Sequence, residues 1–124
     1  MVLFYGCPLV LVAHSPIYLA NVAIDMRKSI DTLCLLVADN FNQTPGDGSY
    51  YIFCNKAKDK VKVLYWDRDG FALWYKRLEK TKFKLEFGQE ETLHITADEL
   101  TWLLSGLDYR KQEVRAPQKY DVLF

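Results

Sequence analysis

"VKVLYWDRDGFALWYKRLEK", Val61–Lys80, decides how this chain folds. Two runs of alternating side chains flank an Asp-Arg-Asp-Gly break. In the first run Val61, Val63 and Tyr65 share one face, while Lys62, Leu64 and Trp66 share the other. In the second, Phe71, Leu73 and Tyr75 alternate with Ala72, Trp74 and Lys76. Asp67–Gly70 has the composition of a tight turn, so the stretch predicts a β-hairpin.

The same period extends outward. Tyr50–Asn55 predicts a strand that enters the hairpin through a lysine-rich turn, "NKAKDK". Lys82–Phe87 predicts another, with Phe83, Leu85 and Phe87 opposite Lys82, Lys84 and Glu86. Pro16–Ala23 reads as a short strand and turn, and Thr92–Ile95 as one more strand. Helical spacing appears twice. Met26, Ile30, Leu33, Cys34 and Val37 line one face of a helix over Asp25–Asp39, with Asp25 as its expected N-cap. Thr96–Glu99 has the pattern of a capping box, followed by the stripe Leu100, Leu103, Leu104 and Leu107, with Gly106 as the stop. Trp102 falls off that stripe. The expected fold is α+β: a meandering antiparallel sheet of about five strands packed by two helices.

A chain of 124 residues and 14.5 kDa holds one core. The expected single domain, 1–124, divides into an apolar N-terminal arm (1–15), a core (16–109) and a tail (110–124). Formal net charge is zero, yet the charges are segregated. Lys56–Lys84 carries ten basic residues against four acids, whereas Glu86–Asp108 carries six acids and no lysine or arginine. Cys7, Cys34 and Cys54 are too widely and irregularly spaced for a disulfide framework or a zinc site, and a reducing cytoplasm is the simpler setting. The opening "MVLFYGCPLVLVAHS" is apolar. It lacks a basic leader, is interrupted by Pro8 and is too short for a membrane span, so no membrane partner is expected.

Little here resembles an active site. His14 and His94 have no metal-ligand spacing to Cys, Asp or Glu. Asp25, Asp67, Asp69 and Asp108 could be drawn as a two-metal carboxylate cluster, but Asp25 reads as a cap and Asp67 and Asp69 as turn formers flanking Gly70. Gly46 and Gly48 precede a strand and not a helix, which excludes a phosphate loop of the usual kind. No cofactor, metal or catalytic residue is expected, and the chain reads as a non-enzyme.

The hairpin lysines leave two readings open. In the structural one, Trp66 and Trp74 are packing residues and the lysines guard strand edges. In the functional one, Lys58, Lys60, Lys62, Lys76, Arg77, Lys82 and Lys84 form a positive strip that neutralises phosphates. Trp66 and Trp74 then stack on bases beside it.

Three stretches carry a family resemblance: "DMRKSIDTLCLLV" (Asp25–Val37), "YYIFCNKAKDKVKVLYWDRDGFALWYKRLEKTKFKL" (Tyr50–Leu85) and "LTWLLSGLDY" (Leu100–Tyr109). Together they resemble the TnpB accessory protein of the sixty-six family of bacterial insertion sequences. The match covers most of Ile17–Tyr109. The resemblance implies a cytoplasmic, non-catalytic protein encoded beside a transposase and accessory to transposition. The partners it implies are DNA at the element ends and the transposase of the same element. The turn "CNKAKDK", lysine-rich where the family is arginine- and glycine-rich, departs from the pattern, as do the first dozen residues and the tail after Lys111. Two functions follow as expectations: a DNA-binding accessory factor, or a protein–protein adaptor for the transposase. A diverged, stranded copy that only self-associates would fit the departures. Self-association as a two-fold dimer is expected from the apolar arm, Trp102 and the terminal "DVLF".

Overall fold

The computed structural model describes residues 15–88 and 93–111. All of the N-terminal arm but Ser15 and nearly all of the tail, with Cys7, His14 and "DVLF", lie outside the described residues.

Alternation in the hairpin becomes a regular ladder. β3 (Lys60–Asp67) pairs antiparallel with β4 (Gly70–Arg77) from Lys60↔Arg77 to Asp67↔Gly70. β2 (Tyr50–Cys54) adds antiparallel to the other side of β3. Two three-residue strands complete the sheet, β1 (Ile17–Leu19) and β5 (Leu93–Ile95), in the order β4-β3-β2-β1-β5.

Among the described residues the sheet has five strands, the number that the sequence predicts, but it is mixed. β1 runs parallel to β2 and antiparallel to β5. A parallel neighbour requires a crossover connection, and the first helix provides it.

That helix, α1, spans Ile30–Leu36 and continues as a wider π turn over Val37–Phe41. It begins later than the sequence predicts. Asp25 does not cap it; the N-cap position is Ser29. Asp25 instead accepts from the backbone N–H of Arg27 (2.9 Å) and from its guanidinium, closing a separate turn before the helix. This guanidinium holds the Asp25 carboxyl well below the usual carboxylate range. Asn42, at φ 55°, ends the helical run in the left-handed region.

Helix α2 (Ala97–Leu104) matches expectation closely. Glu99 N–H donates to Thr96 Oγ1 (3.1 Å), and Thr96 N–H donates to Glu99 Oε1 (2.9 Å). At its other end Gly106 N–H reaches Leu103 O (3.0 Å) and Leu107 N–H reaches Trp102 O (3.0 Å), a Schellman motif with Gly106 at φ +84°. This reversal carries Leu107 off the apolar stripe and into solvent, where the sequence placed it in the core. A short 3₁₀ turn follows at Tyr109–Lys111.

Both faces of the sheet are covered, which explains why all five residues of β2 are buried. On one face Tyr50, Ile52, Cys54, Val61 and Val63 meet α2 through Leu100, Leu103 and Leu104. On the other, Tyr51, Phe53 and Leu64 meet α1 through Leu33, Val37 and Phe41.

Lys82–Phe87 is not a strand. It crosses the α2 face as an extended segment, tied by Phe83 N–H to Lys58 O (2.7 Å). Phe83 and Leu85 are buried while Lys82, Lys84 and Glu86 are exposed. An extended backbone alternates its side chains whether or not it has a ladder partner, so period two alone does not distinguish the cases.

Candidate nucleic-acid interface

The turn between β2 and β3 is organised by Asn55. Its Oδ1 accepts from the N–H groups of Asp59 (3.1 Å) and Lys60 (3.0 Å), and its Nδ2 donates to Asp59 Oδ1 (2.7 Å). That side-chain bond, assisted by the charges of Lys60 and Lys82, holds the Asp59 carboxyl below its ordinary range. Two more segments are fastened to this turn. Leu78 N–H donates to Asp59 O (2.8 Å), and Phe83 N–H to Lys58 O.

Three stretches of chain therefore converge at one end of the sheet, bringing Lys56, Lys58, Lys60, Arg77, Lys80, Lys82 and Lys84. Asp59 and Glu79 are the acids among them. Lys60 lies directly across the ladder from Arg77. Lys60 Nζ approaches Asp59 (3.4 Å), Arg77 Nε donates to Glu79 (2.8 Å), and Lys58 Nζ stands 5.3 Å from the centroid of the Phe87 ring. Among the described residues the side chains of Lys56, Lys80 and Lys82 make no hydrogen bond or ion pair, and Lys84 Nζ donates to the Lys82 carbonyl (3.1 Å).

The remaining expected site residues lie elsewhere. Lys62 faces α1, and its Nζ donates to the carbonyls of Met26 (2.6 Å) and Lys28 (3.2 Å). Lys76 faces α2, and its Nζ donates to Leu104 O (2.8 Å). There it satisfies a terminal carbonyl and complements the negative end of the helix dipole. The two tryptophans are also on opposite faces, because Trp66 pairs with Phe71 and Trp74 with Val63. Trp74 packs against the α2-side core. Trp66 is 41% exposed and meets Phe71 edge-on at 5.0 Å. It stands six residues along β3 from Lys60, roughly 20 Å at the rise of an extended strand. Lysines and exposed indole thus occupy opposite ends of the hairpin.

Sequence reasoning omitted Lys56 and Lys80 from the site. For Lys56 the signal was the turn itself, since Asn55 at its head marks a side-chain-closed loop; Lys80 is brought there by the Leu78 and Phe83 bonds to that turn, which no local motif encodes.

At the opposite edge of the sheet, Glu86, Leu93, His94, Ile95, Glu99, Tyr109 and Arg110 line an opening of about 330 Å³. Arg110 bridges Glu86 (2.8 Å) and Asp108 (3.0 Å) there, and lowers the pKa of both carboxyls. Among the described residues, no three His, Cys, Asp or Glu side chains group as a metal site. No helix among them is long and apolar enough to cross a membrane.

Comparison with known proteins agrees with the motifs. Two uncharacterised proteins of Sinorhizobium fredii (strain NBRC 101917 / NGR234) are similar to this chain. y4jC is 30% identical over 106 residues, covering 83% of this chain and 91% of the relative. y4hO is 31% identical over 104 residues, covering 83% and 90%. No solved structure matches. The family model described as "IS66 Orf2 like protein" matches residues 15–114, which takes in every described element, and the chain belongs to that family.

Proposed function

We propose that this protein is a non-catalytic accessory factor of insertion-sequence transposition that binds duplex DNA through the lysine-rich end of its sheet. The observation that carries the reading is the convergence of the 55–60 turn, the end of β4 and the 82–84 segment. It concentrates in one place a positive field that a net charge of zero conceals. Lysine ammonium groups neutralise phosphate without reading base edges bidentately, so recognition is weakly sequence-specific. On this reading the element ends are the DNA and the cytoplasm is the compartment.

Titrating a short duplex with protein at several salt concentrations tests this. With about five phosphate contacts, log affinity falls against log salt with a slope of roughly −4 to −5. Exchanging Lys80→Glu and Lys82→Glu together weakens every duplex alike and flattens the slope. Salt-insensitive behaviour, or no binding with or without transposase, overturns the reading.

A second reading has its own support. Trp66 is exposed beside the acidic turn Asp67–Gly70, far from the lysines, and suits a protein contact with the transposase of the same element. On that reading Trp66→Ala abolishes co-purification with transposase and leaves DNA affinity unchanged.

A further inference from the structure

The sheet has two outer strands among the described residues, and they differ sharply. β5 is three residues long, whereas β4 has eight and pairs with β3 without a bulge. Gly70–Tyr75 contains no charge and no proline, the devices by which proteins keep long edges from pairing. The direction of its free groups follows from the hairpin. Leu78 N–H donates to Asp59 O, and the Asp67↔Gly70 pair closes a two-residue loop. Even-numbered residues of β4 therefore bond to β3, and the main-chain groups of Phe71, Leu73, Tyr75 and Arg77 point away from the sheet.

We infer that β4 pairs antiparallel with β4 of a second copy, joining two sheets into one across a two-fold axis at Leu73. In that register Phe71 stands opposite Tyr75, Ala72 opposite Trp74, and Asp69 opposite Arg77, each twice by symmetry. Aromatic cross-strand pairs and opposed unlike charges stabilise such ladders. Tyr75 is 48% exposed in the single chain, so pairing shields surface that the chain alone leaves wet. A slip of one residue would oppose side chains of different faces. A slip of two in one direction would place Asp69 opposite Glu79, like charge on like. The Asp69–Arg77 match disfavours that slip, and the self-matching aromatic and charged positions of the edge make a second copy the occupant. This surface is distinct from the arm, Trp102 and tail that the sequence suggested.

Sedimentation or light scattering of the full chain at micromolar concentration tests the pairing. The expected mass is twice 14.5 kDa. Arg77→Glu raises the dissociation constant roughly tenfold or more, and adding Asp69→Arg in the same chain restores the dimer. Tyr75→Pro, which removes an outward donor while leaving the β3 ladder intact, gives a folded monomer. In the unmodified protein, amide exchange at Phe71, Leu73 and Tyr75 slows as concentration rises. A monomer, a dimer indifferent to Arg77→Glu, or a dimer lost on removing residues 1–14 but kept in Tyr75→Pro, each overturns the inference.

Discussion

Lys62 sits on the α1 side of β3 and Lys76 on the α2 side of β4, and each ammonium group ends on main-chain carbonyls. Both are pins that hold a helical layer to the sheet. Replacing either with alanine removes the charged donor and leaves carbonyl oxygens unmatched, at a cost of about 1–2 kcal/mol. Urea unfolding measures that loss, and the salt slope of DNA binding stays where it was. Lys80→Glu with Lys82→Glu behaves oppositely, lowering affinity while the urea midpoint holds. Cys54 is fixed in a different way. Burial pushes its thiol up to about 12, with the nearby Lys58 charge pulling weakly the other way. Its folded-state pKa lies above the ordinary thiol value of 9.0, so the stabilising preference for the neutral thiol is complete below about pH 9 and is lost as pH rises toward the folded value. In a Cys7→Ser background a disulfide reagent at neutral pH modifies Cys54 only as fast as the protein unfolds. Rapid labelling of the native protein at Cys54 would contradict this.

Among the elements, α2 was the most legible because its signals are local: a capping box at one end, a glycine at the other and leucines between. Gly106 has two reasons to be glycine. Its φ is +84°, and a Cβ would lie 3.1 Å from Thr81 Oγ1 in the segment below β4. Gly106→Ala is expected to cost about 1–2 kcal/mol, lowering the melting temperature by several degrees in a thermal scan. The central hairpin was equally legible, since its turn and its alternation agree. The parallel β1–β2 pair was not, because the choice of neighbour depends on where α1 sends the chain, and no residue in Ile17–Leu19 encodes it. Lys82–Phe87 failed for a different reason, having the alternation of a strand while its Phe83 and Leu85 anchor it across the α2 face instead of beside an edge. As for the site, the lysine count was readable, but the face each lysine occupies was set by register. Register moved Trp66 and Trp74 to opposite sides and gave Lys62 and Lys76 to the core layers.

At the scale of the whole molecule, a neutral chain has been folded so that the cations of three segments share one end of a sheet covered on both faces. Its topology also governs how such a chain comes into being. Each strand of the meander β2-β3-β4 finds its partner nearby in sequence, the widest pairing being Lys60 with Arg77. Ile17, by contrast, is matched to Tyr50 on one side and to Ile95 on the other. Closing such long loops costs entropy before any contact returns it, so the hairpin region is the natural nucleus and the sheet grows from the middle outward. On the ribosome the order of synthesis runs against this order of assembly. Strand β1 emerges with neither neighbour yet translated, and Ile17 and Leu19, buried in the finished fold, remain open to water and to chaperones until β5 and α2 have appeared.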